Sequence, residues 1–176
     1  MPFRMTRIFY TSGDENIMRI KWKILIPNLI IPLAVGALSG FLTRNAMEKY
    51  LELRQPPLSP PPAVFPVVWT ILFLLMGISA YLIAAGGSED RDAGAMALIP
   101  RIYWIQLAVN FFWTLIFFNL GMFLFAFLWL ILLIILVSVM IARFLRIYRK
   151  AGILQIPYLI WLIFAAYLNL AVFILN

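Results

Sequence analysis

Residues 121–142 read GMFLFAFLWLILLIILVSVMIA, and Ser138 is the only conventional polar side chain in the run. A helix over this stretch, rising 1.5 Å per residue, is about 33 Å long and matches a hydrocarbon layer of roughly 30 Å. A barrel strand does not fit, because such strands alternate over about ten residues. This run is apolar at consecutive positions for about twice that length. Hydrocarbon also leaves no partner for an unpaired backbone group, so the run is a helix.

Working outward, four further segments have the same character: about 24–42, 63–85, 102–118 and 153–174. The third is interrupted by Gln106, Asn110 and Thr114. Asn119-Leu120-Gly121 is too short to cross anything and makes the third and fourth spans an antiparallel hairpin. The whole chain agrees. Of 176 residues, 65% are hydrophobic and 12% charged, with mean hydropathy +1.00, whereas soluble domains carry about 25% charge. The expected class is all-α, an integral membrane five-helix transmembrane bundle over 24–176 behind a basic N-terminal tail of residues 1–23. A disordered chain, a disulfide-stapled secreted domain and an ordinary cytosolic enzyme are excluded.

The formal charge of +7 sets topology rather than marking a nucleic-acid partner, because the bases flank apolar runs. Eleven Lys/Arg fall on the side of the tail and of connections 86–101 and 143–152. Three, Arg44, Lys49 and Arg54, fall on the other. The expectation is a cytoplasmic N-terminus and a C-terminus outside. In the tail, Ile17–Lys23 either lies in the interface with Trp22 at headgroup depth or is a plain basic extension.

The chain has no Cys and no His. Disulfides, thiolate chemistry, imidazole bases and most transition-metal or axial haem ligation therefore have no ligands here. There is no Walker loop, nucleophile elbow or HExxH motif. No Asp or Glu lies within a span, which argues against a buried-carboxylate proton relay. The absence of an inverted repeat, and an odd number of spans, argue against a large secondary transporter.

The informative groups are amides and indoles. Gln106, Asn110, Trp113 and Phe117 recur at helical spacing and share a face of the third span, with Thr114 beside them. Phe65, Trp69, Phe73 and Met76 make a stripe on the second; Tyr158, Trp161, Ala165 and Asn169 make one on the fifth. Each face is either interhelical glue or a pocket wall, because an amide or indole N–H in hydrocarbon must find a partner. Three aromatic walls with polar handles suit a large, flat, partly apolar ligand.

Gln55-Pro56-Pro57-Leu58-Ser59-Pro60-Pro61-Pro62 cannot be helical. It forms either a stiff lid over the mouth of the bundle or a spacer, with Pro62 or Pro66 starting the next helix. Pro32 should bend the first span, while Pro27 stands near enough to its start to be tolerated. Gly36-Ala37-Leu38-Ser39-Gly40 supplies a small face for close contact within the bundle or between subunits.

These residues resemble a known family. Pro56–Phe73 (PPLSPPPAVFPVVWTILF), Asn110–Phe118 (NFFWTLIFF) and Ile156–Ala165 (IPYLIWLIFA) with Leu168-Asn169 are similar to three motifs of the tryptophan-rich sensory protein/translocator protein (TspO/MBR) family, in the family's order. The resemblance implies a five-helix bundle, commonly a homodimer, that binds porphyrins and other tetrapyrroles in a pocket inside each subunit. It assigns ligand contacts to Trp69, Phe73, Asn110, Trp113, Trp161 and Ala165, and a covering loop to Pro56, Pro60 and Pro61. It implies no metal site and no obligatory cofactor beyond a porphyrin or haem-like ligand, with the bilayer as the other partner. The implied role is sensing or regulation of such ligands; the alternatives are a translocator and a light-dependent porphyrin-degrading enzyme. Lys49-Tyr50 stands where many bacterial members have Trp-Tyr, so a loop tryptophan for photochemistry is missing. Tyr167 is followed by no Lys or Arg, so the sterol-recognition pattern of animal members is absent there.

Overall fold

The structure, a computed structural model, describes residues 20–85 and 93–176. The tail through Arg19 and the connection from Gly86 to Asp92 lie outside the described residues, and with them the basic groups Arg4, Arg7 and Arg91. Among the described residues all regular structure is helical: α1 (Trp22–Thr43), α2 (Ala46–Glu52), α3 (Val64–Ala85), α4 (Ala93–Thr114), α5 (Phe123–Ile147), α6 (Arg149–Ile153) and α7 (Ile156–Leu175). Five helical stretches among the described residues are long and apolar enough to cross a membrane, one for each expected span. The chain is a multi-pass integral membrane protein.

Around the bundle α1 packs on α3 and α4, α4 on α5, and α5 on α7, while α6 leans on α3. The interior is set by α5, whose Leu130, Leu133, Val137 and Met140 recur at three or four residues and are fully buried. The opposite face carries exposed Leu124, Leu128, Ile131 and Ile135. Both faces are apolar because lipid, not water, lies outside.

α1 runs through both Pro27 and Pro32. Pro32 has no N–H, so the Asn28 carbonyl one turn earlier loses its usual donor. Gly77 of α3 packs at that spot, where an added Cβ would stand 2.5 Å from the Asn28 oxygen and 2.9 Å from the Leu29 Cα. The absent side chain is what lets the two backbones meet. α3 starts as the prolines suggest, with Val64 N–H donating to the Pro61 carbonyl (2.9 Å) and Phe65 N–H to that of Pro62 (3.3 Å).

Several features differ from the sequence reading. The 43–62 connection contains a two-turn helix, α2, that no apolar run announced. α4 begins at Ala93, well before residue 102, and ends in a π turn over Leu115–Asn119. The wider turn brings the adjacent Phe117 and Phe118 to the same internal space. Gly121, at φ +63, then reverses the chain. Finally, α5 continues to Ile147, so Arg143 and Arg146 ride on a helix instead of sitting in a loop, and α6 makes the rest of that connection helical. Arginine stems long enough to reach the headgroups allow the helix to run past its apolar stretch.

Candidate ligand cavity

Between α1, α3, α4 and α7 the bundle does not close. It holds a cavity of about 730 Å³, within the roughly 300–1,000 Å³ range of small-molecule sites. One lining residue, Asn110, belongs to a hydrogen-bonded layer. Asn110 Nδ2 donates to Tyr158 Oη (2.6 Å), Tyr158 Oη donates to Gln106 Oε1 (3.2 Å), and Gln106 Nε2 reaches Met76 Sδ (3.3 Å). All four residues are buried. The expected amide face is therefore both glue and wall. Gln106 is consumed by packing, whereas Asn110 also lines the cavity and keeps its carboxamide oxygen and one amide proton for an occupant.

The walls are aromatic. Trp69 lies 6.2 Å from Trp113 and 5.5 Å from Phe73, and it meets Tyr158 edge-on at 6.2 Å. Trp113 stacks on Phe117 at 5.8 Å and donates its indole N–H to Asn169 Oδ1 (3.3 Å), while Asn169 Nδ2 holds the Phe123 carbonyl (2.8 Å). This chain fixes the Trp113 ring against α7 and the start of α5. Trp161 sits edge-on to Phe65 at 6.1 Å, and its indole nitrogen is buried without a partner. An unpaired buried donor costs about 1–3 kcal/mol.

All six residues that the sequence placed in a pocket, Trp69, Phe73, Asn110, Trp113, Trp161 and Ala165, line this one cavity. The lid prolines are placed differently. Pro56, Pro60 and Pro61 do not line it; Pro62, Tyr50 of α2 and Pro66 do. Pro56 is instead buried beneath a turn in which Ser59 N–H donates to the Pro56 carbonyl (3.2 Å). Leu58 takes φ +69 in that turn, a geometry that favours glycine. The segment is tied to α7: Tyr167 Oη donates to the Pro57 carbonyl (2.8 Å), and Asn176 Oδ1 accepts from Arg54 N–H (2.9 Å). Burial pushes the Tyr50 phenol above its usual range, so it is a neutral hydroxyl beside the cavity.

Two contributions escaped the sequence reading. One is Tyr50, hidden in a charged segment. The other is the α1 wall, where Gly36, Ala37, Gly40 and Thr43 line the cavity. The small-residue face was legible, but its use was not: Gly36 is covered by the Phe73 ring, whereas a Cβ on Gly40 would meet nothing within 4 Å. Of the bases on the side opposite the tail, Arg44 lines the cavity, and the side chain of Lys49 lies outside the described residues.

The chain matches the model of the TspO/MBR family over residues 28–175. It is 31% identical over 155 residues to the tryptophan-rich protein TspO of Archaeoglobus fulgidus, covering 86% of this chain and 96% of that protein. It is 34% identical over 145 residues to that of Chlorobaculum tepidum, with 82% and 90% covered. Similarity extends to the translocator protein of Ovis aries, at 30% over 152 residues, with 84% and 87% covered. With five spans, an aromatic cavity and a match over nearly the whole transmembrane region, the chain belongs to the TspO/MBR family.

Proposed function

We propose that the protein binds a porphyrin or related tetrapyrrole within the membrane and acts as a sensor or regulator of such molecules. Trp69, Phe73, Asn110, Trp113, Trp161 and Ala165 contact the ligand, and the proline segment with Tyr50 covers it. The observation that carries this reading is that three indoles, one each from α3, α4 and α7, frame a single hollow together with the carboxamides of Asn110 and Asn169 instead of packing solid. Flat indole and phenyl faces supply apolar area and stacking. Asn110 supplies an oxygen for a donor on the ligand, and Arg44 supplies a cation for a carboxylate at its edge. In the same reading the protein is a homodimer with its N-terminus cytoplasmic, the side favoured by its Lys/Arg distribution.

The test is a titration of tryptophan fluorescence with protoporphyrin, comparing wild type with Asn110→Leu and Trp161→Ala in lipid nanodiscs. Affinity should fall at least about tenfold in each variant, the equivalent of about 1.4 kcal/mol. Unchanged affinity in both would remove the proposed pocket.

A further inference from the structure

One seam of the cavity wall is incomplete. On α3, Pro66, Thr70, Phe73 and Gly77 follow one another at three or four residues and share a face, which Pro62 extends just before the helix begins. The lower part of that face is packed on α1, with Gly77 against the backbone of Asn28 and Leu29 and Phe73 over Gly36. Farther along, contact is lost. Thr70 and Pro66 are exposed, and so are Ala37, Gly40 and Arg44, which follow Leu33 along the facing stripe of α1. All five also line the cavity. The hollow therefore reaches the surface between two membrane-spanning helices, at a depth where the surroundings are lipid. Arg44 stands at the end of the opening where α1 leaves the membrane. Its guanidinium is held 4.1 Å from the centroid of the Phe41 ring, and among the described residues it is the charged side chain in the lining.

We infer that the cavity exchanges its occupant sideways with the bilayer through the α1–α3 opening, and that Arg44 at the head of the opening selects amphiphiles carrying a carboxylate. This inference rests on the reading of the cavity as a ligand chamber. An apolar body dissolved in lipid slides in beneath a head that stays at interface depth. It need not cross water or lift the proline cover. The carboxylate meets a cation already desolvated on one face by Phe41, where a charge-assisted hydrogen bond gains most. The small residues Ala37 and Gly40 serve as the doorway, a use of that motif distinct from helix contact.

The probe is 9,10-dibromostearate in phosphatidylcholine vesicles, whose bromines quench indoles only on close approach. The protein carries Trp22→Phe, Trp104→Phe and Trp129→Phe, which leaves the three cavity indoles as reporters. Dibromostearate should quench them, and Gly40→Phe or Thr70→Phe, each filling the opening, should reduce that quenching at least about fivefold. Arg44→Gln should weaken quenching by the carboxylate at least about threefold and leave that by dibromostearyl alcohol unchanged. Absent quenching in the parent, or equal quenching in both filled variants, overturns lateral exchange. An equal response to acid and alcohol overturns the role of Arg44. Protoporphyrin titrated into the protein with its native tryptophans separates the two readings. Porphyrin binding without bromolipid entry leaves the chamber and removes the doorway; bromolipid entry without porphyrin binding does the reverse.

Discussion

Gly77 and Gly40 lie in the same α1–α3 seam and have opposite consequences. At Gly77 the missing side chain brings two backbones together, and the Asn28 carbonyl freed by Pro32 fills the space. At Gly40 the missing side chain faces nothing within 4 Å. The half of the bundle around Gly77 is closed by packing and by the Asn110–Tyr158–Gln106–Met76 layer. The half around Gly40 is held apart by aromatic rings too large to interdigitate across the space. Residue type alone does not separate a contact from a void; the partner on the facing helix does.

The largest expected effect breaks the closed half. Gly77→Ala places a Cβ against backbone atoms that cannot swing away, and should cost about 2–3 kcal/mol. Gly40→Ala should stay within about 0.5 kcal/mol. Reversible unfolding in mixed micelles compares the two, and equal losses would erase the contrast. Next comes Tyr158→Phe, which removes the hydroxyl shared by Asn110 and Gln106 and should lower stability by about 1–3 kcal/mol.

In the open half the expected sign changes. Trp161→Phe deletes an indole N–H that has no partner, so the empty protein should melt no lower than wild type, or higher by an amount worth up to about 1 kcal/mol. Its protoporphyrin affinity should nevertheless fall. The smallest effect belongs to the cover. Leu58→Gly relieves a left-handed φ at the third position of the Pro56–Ser59 turn and should stabilise by about 0.5 kcal/mol. A loss there would mean that the leucine side chain has a contact role in the membrane.

The five spans were legible because apolar runs of about twenty residues have one physical solution in lipid. The aromatic and amide faces were legible because helical spacing collects them whatever surrounds them. The cover was not, since α2 is short, carries charge and owes its helix to tertiary contact, such as the packing of Tyr50 on Phe117 and Phe118. The π turn was equally hidden, because its extra residue per turn leaves no mark on hydropathy. Arg143 and Arg146 suggested a loop because charge normally ends a span, yet their stems let α5 continue. The hollow itself was the least visible feature. Gln106 and Asn110 look alike in sequence, and only the positions of Met76 and Tyr158 decide that one is consumed by packing and the other faces the cavity.

The most direct test pairs one residue from each half in a single experiment, a protoporphyrin titration and a thermal melt on Trp161→Ala and Ser79→Ala. Ser79 is fully buried in the closed half and donates to the Ala151 carbonyl at 2.7 Å. The account predicts that Trp161→Ala loses affinity at least about tenfold, while Ser79→Ala lowers the melting temperature and holds affinity within about threefold. Porphyrin affinity that is unchanged in Trp161→Ala, or that falls equally in both, would contradict it.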